Sequence, residues 1–491
     1  MRRELVIGLD IGTTNIKAVL FNIKGNLIAE AEKKVVTYYS NHVNHEQNPL
    51  ELEKSSVQVI KQVIKKGKVK SNELLSIGIS CAMHSIICVD KNNNPLSPMI
   101  IWSDGRGTTQ VKNMSKAKTN KLYEKTGVPV HPMTPFAKLL WMKQTGFKPF
   151  QEAYYFMTMK DFLIKRWFNK HIIDYSMAAS TGLLNIHMLD WDKEILDLVG
   201  IEQSQLGKIV EPTELVTSLN ENIADEMEIE KDTLFSIGAA DGQMANLGSG
   251  AITSNEINIS MGTSGAVRQF TEGTPISKKM NTFAYPLNTY KSIIGGATNN
   301  GGIALQWLKG LLEFKGNFST FLKSAEKTEV GANGIIFLPY INGERAPLWN
   351  QQAQGVFWGL NINHTKEDMI RAVLEGITFN IYKISKELKK ITSEFTKVSI
   401  NGGLTQSSFW LQIVADILGQ EVYVTNTHHN VAWGASWTSL VAIGKVKSFE
   451  LIKENMPNEN IVFANEKNHI LYESIFKKYN DLLNQLEPLF I

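Results

Sequence analysis

Leu5-Val6-Ile7-Gly8-Leu9-Asp10-Ile11-Gly12-Thr13-Thr14-Asn15-Ile16-Lys17-Ala18-Val19-Leu20-Phe21 is an apolar run, a glycine-bearing polar break and a second apolar run. The pattern predicts strand, tight turn, strand. A second turn at Lys24-Gly25-Asn26 and a third strand over residues 27–32 follow. The same order recurs at Asn258-Ile259-Ser260-Met261-Gly262-Thr263-Ser264-Gly265-Ala266-Val267-Arg268. Gly12 and Gly262 stand 250 positions apart in a chain of 491, which predicts two related halves facing each other. Such a turn lets backbone N–H groups converge on an anion, and Thr or Ser hydroxyls add donors. Two of them, one per half, would hold a polyphosphate between them. An ordinary pair of hairpins fits either cluster alone. There is no Walker loop, because Gly67-Lys68 and Gly444-Lys445 are both followed by valine, and no G-x-G-x-x-G follows a strand.

Composition narrows the class. The length allows two to four domains. Hydrophobic residues make up 43% and charged residues 20%, enough for buried cores and without a disorder signature. Lys+Arg 51 against Asp+Glu 48 leaves +3, which argues against a nucleic-acid or membrane-surface protein. Cys81 and Cys88 are too few for a disulfide framework, so a reducing compartment, the cytoplasm, is expected. No apolar run is long enough to span a membrane, and the first ends at Asp10, too soon for a secretory signal.

Elsewhere, strands and helices alternate, which indicates an α/β protein. Asn48-Pro49 caps and opens a helix, and Thr365 caps a long one with Met369, Val373, Ile377, Ile384 and Leu388 on one face. Residues 398–401 form a strand running into Gly402-Gly403, before a helix over 407–418 and a strand over 421–425. Gly242, Gly248 and Gly250 make residues 241–251 the candidate hinge. His42 and His45 lie too far from any Cys or His partner to read as a zinc site.

Seven short motifs, in order, resemble the FGGY carbohydrate kinases of the actin-like, ribonuclease-H-like ATPase superfamily. They are Gly8-Leu-Asp10-Ile-Gly-Thr-Thr14, Trp102-Ser-Asp104-Gly-Arg106, Met133-Thr-Pro-Phe-Ala-Lys138-Leu-Leu-Trp141, Gly238-Ala-Ala-Asp241-Gly, Gly262-Thr263-Ser-Gly, Gly343-Glu-Arg-Ala-Pro347 and Asn401-Gly-Gly-Leu404. The resemblance implies two ribonuclease-H-like α/β domains, near 1–245 and 246–491, with an interdomain cleft. Within the family the chain is most similar to the gluconate kinases, through Ala82-Met83-His84-Ser85, Ser180-Thr-Gly-Leu-Leu-Asn-Ile-His187 and Asp241-Gly-Gln-Met-Ala-Asn-Leu-Gly-Ser-Gly-Ala251. Xylulose kinases usually carry glycine where this chain has Ser85.

The resemblance implies ATP and Mg²⁺ as cofactors and gluconate as substrate. It also implies a role for each motif residue. Asp241 is the general base for the attacking hydroxyl. Asp10, with Asp241, holds Mg²⁺ through water; capping the turn is the plainer role for Asp10. Thr13, Thr14, Asn15 and Lys17 sit near the phosphates, although Lys17 also fits a solvated strand position. Gly262, Thr263, Gly302, Gln306, Gly403 and Ser407 line the nucleotide; Gln306 fits plain helix surface equally, and Ser407 stands where relatives often have asparagine. Met83, His84, Trp102, Asp104 and Arg106 bind the sugar acid. Arg106 either pairs with the carboxylate or holds Asp104. His187 and Arg345 are further candidates. Xylulose or another open-chain sugar is the alternative substrate, and an actin-like ATPase gripping a partner the alternative class. Family members are often homodimers, but no segment marks an interface.

Overall fold

The computed structural model describes residues 3–41, 43–392, 394–425, 429–456 and 459–490, so His42 lies outside the described residues. Two sheets organise the chain. The first has six strands: β1 (Leu5–Ile11), β2 (Asn15–Asn22), β3 (Leu27–Lys34), β4 (Leu74–Cys81), β5 (Leu215–Val216) and β6 (Phe235–Ser236). Their spatial order is β5-β6-β4-β1-β2-β3, with β1–β2 and β2–β3 antiparallel and β1–β4 parallel. β1 is central and covered on both faces, which is why it reads as a continuous apolar run rather than an alternating one.

The second sheet has seven strands: β7 (Glu256–Met261), β8 (Gly265–Glu272), β9 (Phe283–Pro286), β10 (Lys291–Thr298), β11 (Lys397–Gly402), β12 (Val422–Thr425) and β13 (Glu459–Val462). Their order is β9-β10-β8-β7-β11-β12-β13. Here too a leading strand pairs antiparallel across a glycine turn with the next (β7–β8) and parallel with a later strand on its other side (β7–β11). The duplicated Gly-Thr turns therefore occupy equivalent corners of two similar sheets.

The helix signals act as expected. In α1 (Pro49–Gly67) the Asn48 side chain accepts from Leu50 N at 3.0 Å, and Pro49 takes the first turn, where its missing N–H costs nothing. The long helix Lys366–Lys389 starts at Thr365 with a reciprocal Thr365–Asp368 capping box.

Two features depart from the sequence expectations. The helix Asn430–Ala442, in the second half, packs on the first sheet, and Ala432, Trp433, Ala435, Trp437 and Leu440 join the first core. Contact is so close that a Cβ on Gly8 would stand 1.9 Å from the Ala432 carbonyl oxygen, and one on Gly78 1.9 Å from that of Ala435. The candidate hinge is instead largely the helix Asp241–Gly248, packed against the same helix. A Cβ on Gly248 would fall 1.7 Å from the Asn430 oxygen, and one on Gly434 2.1 Å from that of Met244. These glycines permit close helix approach rather than bending. No helix among the described residues is long and apolar enough to cross a membrane.

Candidate active site

The two glycine turns face one cleft of about 710 Å³. In the first, Gly12 N donates to the Asn15 carbonyl at 3.1 Å, closing the β1–β2 corner. Gln47 Nε2 donates to the Thr13 carbonyl at 2.7 Å, and Trp102 Nε1 to Thr13 Oγ1 at 3.4 Å. In the second, Gly262 N donates to the Ser264 carbonyl at 2.8 Å. Gly302 N and Ile303 N then donate to the Gly262 and Thr263 carbonyls at 2.8 and 3.1 Å, so the helix Gly302–Leu311 begins directly against the turn. A Cβ on Gly262 would meet nothing within 4 Å, because that face looks into the open cleft.

Asp241 stands between the turns as the first residue of its helix, its Oδ1 accepting from Gly242 N at 2.7 Å. The helix is pinned from both sides. Ala240 N donates to Ser176 Oγ at 2.7 Å in the first half. Towards the second sheet runs a buried chain in which Ser260 Oγ donates to Asn401, Asn401 Nδ2 to Asn258, and Asn258 Nδ2 to Asn246, at 2.6, 2.8 and 3.1 Å. Burial pushes the Asp241 carboxyl above the usual carboxylate range, opposed chiefly by the Arg268 charge. Asp10, at the end of β1, is pushed up to about 7 by burial and then by the negative charge of Asp241, with Lys17 pulling back. Two buried carboxylates, one raising the proton affinity of the other, suit a hard divalent cation that retains most of its water. Among the described residues no third acidic, His or Cys ligand joins them.

On the first-half side, Met83 and His84 form a tight turn in which His84 takes φ +66°, uncommon for a residue with a Cβ. Lys138, fully buried, holds it by donating to the His84 and Met133 carbonyls at 2.6 and 2.7 Å. Burial pushes the His84 imidazole down to about 3, so the ring is neutral. Its Nδ1 lies 2.7 Å from the Ser180 carbonyl and must carry the proton, which leaves Nε2 as an acceptor.

Residues 5–248 match the FGGY family of carbohydrate kinases, N-terminal domain, and residues 257–443 the C-terminal domain of the same family. The chain is 34% identical to the gluconokinase of Bacillus subtilis, over 99% of this chain and 94% of that one. It is 29% identical to a xylulose kinase of Staphylococcus epidermidis, over 100% and 98%. The crystal structure of gluconate kinase from Lactobacillus acidophilus superposes with a TM-score of 0.95 at 32% identity, covering 99% of this chain and 98% of that one. A ligand-bound xylulose kinase from the same organism gives the same figures, 0.95, 32%, 99% and 98%.

The chain is an FGGY carbohydrate kinase.

Sugar kinases of this family use ATP, and the fold is the two-domain actin-like ATPase arrangement. Of the residues singled out in its sequence, Thr13, Thr14, Met83, His84, Trp102, Asp241, Gly262 and Thr263 line the cleft, with Asp10 coupled to Asp241. Asp104 and Arg106 do not line it. The Arg106 guanidinium bonds both Asp104 oxygens and pairs with Glu46 at 2.8 Å, while Asp104 also accepts from His45 N at 2.8 Å. The two groups neutralise each other and brace the Trp102 loop, so Arg106 holds Asp104 rather than facing a substrate carboxylate. Lys17 is ion-paired with Glu32 at 3.2 Å. Asn15 and Gln306 lie outside the cleft lining, Gln306 being exposed on its helix. Ser407 caps the helix Ser408–Leu418 by accepting from Trp410 N at 3.2 Å.

Within the protein itself Gly402 is the tighter of the pair. Gly402 has φ +87°, and a Cβ there would stand 2.4 Å from the Met261 oxygen, against 3.7 Å for Gly403. The Gly402–Gly403 pair abuts the strand end that enters the second phosphate turn. His187 serves structure, its Nε2 lying 2.9 Å from the Glu124 carbonyl. Arg345 does reach the cleft, as do Arg268, Tyr285 and Trp349. Arg268 closes the second glycine cluster, and nothing in its local spacing marks it as functional.

Proposed function

We propose that this FGGY kinase phosphorylates D-gluconate to 6-phosphogluconate. The observation that carries a phosphoryl-transfer reading is Asp241, recessed at a helix N-terminus between two glycine turns. Its carboxylate accepts the proton of the attacking substrate hydroxyl as that oxygen bonds the γ-phosphorus and ADP leaves. Thr13 and Thr14 on one side and Gly262 and Thr263 on the other cradle the phosphates. Gly403 and Ser407 mark the direction of the adenine. His84 Nε2 accepts from a substrate hydroxyl, and Trp102 supplies a flat face for the carbon chain. Asp10 and Asp241 would hold Mg²⁺, which when bound neutralises phosphate charge.

Gluconate is favoured over xylulose by the gluconokinases of Bacillus, at 34% identity against 29% for a xylulose kinase. A panel of sugars and sugar acids in a coupled ADP-release assay tests this. Gluconate should give the highest kcat/KM; equal or better turnover of xylulose overturns the substrate assignment.

A further inference from the structure

Two guanidinium groups enter the cleft and form no direct ion pair among the described residues, although Asp241 lies close enough to act on both. Arg268 comes from β8, and Arg345 from the segment after β10 that returns over the sugar side. The Nε atom of each is buried with no hydrogen-bond partner among the described residues. The two are held differently. Arg345 Nη2 donates to the Thr298 carbonyl at 3.1 Å, and its guanidinium carbon lies 5.2 Å from the Trp102 ring centre. Its backbone is fixed by the fully buried Glu344 carboxylate, which accepts from Arg345 N at 2.7 Å and Thr298 Oγ1 at 2.6 Å. Arg268 lies over Gly242, where an added Cβ would come 2.9 Å from its Nε and 3.3 Å from Met83 Cε. One cation thus sits beside Trp102, the other beside Met83, with Asp241 near both.

The surrounding atoms sharpen the requirement. Tyr285 Oη and Trp349 Nε1 also line the cleft, buried and without a partner among the described residues. Three of these four groups are donors only, and the fourth can donate. A buried donor without an acceptor is unfavourable, and two nearby guanidinium groups repel one another. The buried Glu344 carboxylate spends its oxygens on Thr298, Asn299, Asn300, Asn380 and the Arg345 backbone, and Asp241, as the base, must also take up a proton. Such a set is matched by an anionic, oxygen-rich ligand. Arginine recognises a planar carboxylate through paired N–H donors.

We propose that Arg268 and Arg345 bind the substrate's carboxylate and select a sugar acid over a neutral sugar at this site. This rests on the sugar-acid reading above, and it moves the carboxylate partner away from Arg106, which Asp104 and Glu46 already occupy. The competing anion in the same cleft is the transferred phosphoryl group, and the test separates the two.

The experiment compares gluconate with gluconamide, in which a neutral amide replaces the carboxylate on the same carbon chain. The kcat/KM ratio of gluconate to gluconamide is measured in the wild type, R268Q, R268K and R345Q, with circular dichroism to check folding. Equilibrium binding of gluconate without ATP is followed by calorimetry. Loss of a charge-assisted contact should lower the ratio about 30-fold in R268Q. R268K should restore part of it, R345Q should lower it in the same direction, and gluconate binding should weaken in parallel. If R268Q does not fold, R268K and R345Q carry the test.

An unchanged ratio with kcat reduced on both substrates assigns the guanidinium groups to the phosphoryl group and overturns the proposal. Equal loss on both substrates through KM shows a merely structural role and overturns it too. A wild type that phosphorylates a different sugar acid, with an Arg268-dependent preference over its amide, overturns gluconate but supports the carboxylate clamp. Turnover of neutral sugars and of no sugar acid overturns both.

Discussion

Asp241→Asn separates a catalytic role from a structural one, because the two predict opposite changes in stability. The substitution keeps the shape and removes only the charge and the proton-accepting oxygen. A positioned general base contributes about 10²–10⁴-fold, or about 2.7–5.4 kcal/mol of barrier at 1.36 kcal/mol per decade, so kcat should fall by that factor. The folded protein meanwhile holds this carboxyl above its ordinary value of 3.8, burial outweighing the Arg268 charge. In the unfolded chain it ionises near that ordinary value. The ionised form therefore destabilises the folded state, by an amount that grows as pH rises above 3.8 through the folded value and is absent below it. The Asn variant should match or exceed the wild-type Tm at pH 8, and the gap should close towards pH 4. Removing the Asp241 charge should also lower the proton affinity of Asp10, which Asp241 raises. Steady-state kinetics of ADP release and pH-resolved thermal melts in metal-free buffer give both readouts. A kcat within tenfold of wild type refutes the base assignment. A marked fall in Tm at pH 8 refutes the electrostatic account.

Three further outcomes follow from packing and charge. Gly78→Ala forces a methyl into the Ala435 carbonyl and should cost about 1–3 kcal/mol, lowering Tm by about 1–6 °C; an unchanged melt would mean the Asn430–Ala442 helix is not seated on the first sheet as described. Gly262→Ala has open space around the new methyl, so Tm should move by less than about 1 °C. The KM for ATP should nevertheless rise, because the methyl enters the cleft; an unchanged ATP KM removes Gly262 from the nucleotide site. Lys160→Met strands Asp174, its partner at 2.8 Å, as an uncompensated charge where both side chains are at most 1% exposed. That should cost about 3–5 kcal/mol, and a smaller loss in chemical denaturation would show that water reaches the pair.

Much of the cleft was legible locally. The strand–turn–strand pattern located both phosphate turns because a glycine followed by small hydroxyl residues constrains the backbone over only a few positions. Asp10 lies directly beside the first such break, Asp241 is marked by the family's Gly238-Ala-Ala-Asp241-Gly pattern, and Asn48 and Thr365 announce their helices through bonds to residues two or three positions on. The Trp102-Ser-Asp104-Gly-Arg106 motif was legible as a motif but not as a set of contacts. Which anion Arg106 meets depends on Glu46, some sixty positions earlier.

The sequence by itself determined the two glycine turns, their repetition in two α/β halves, Asp10 beside the first of them, and the family, whose pattern marks Asp241. Each is written in a short window, where hydrogen bonding and side-chain alternation act between near neighbours. Only the tertiary structure decided that the helix Asn430–Ala442 joins the first core, and that Gly8, Gly78 and Gly248 serve it as contact surfaces. Only it decided that Asp104 and Arg106 neutralise one another while Arg268 and Arg345 are left facing the cleft. Whether a charge is satisfied depends on groups brought together from segments far apart in the chain, and no local pattern carries that sum.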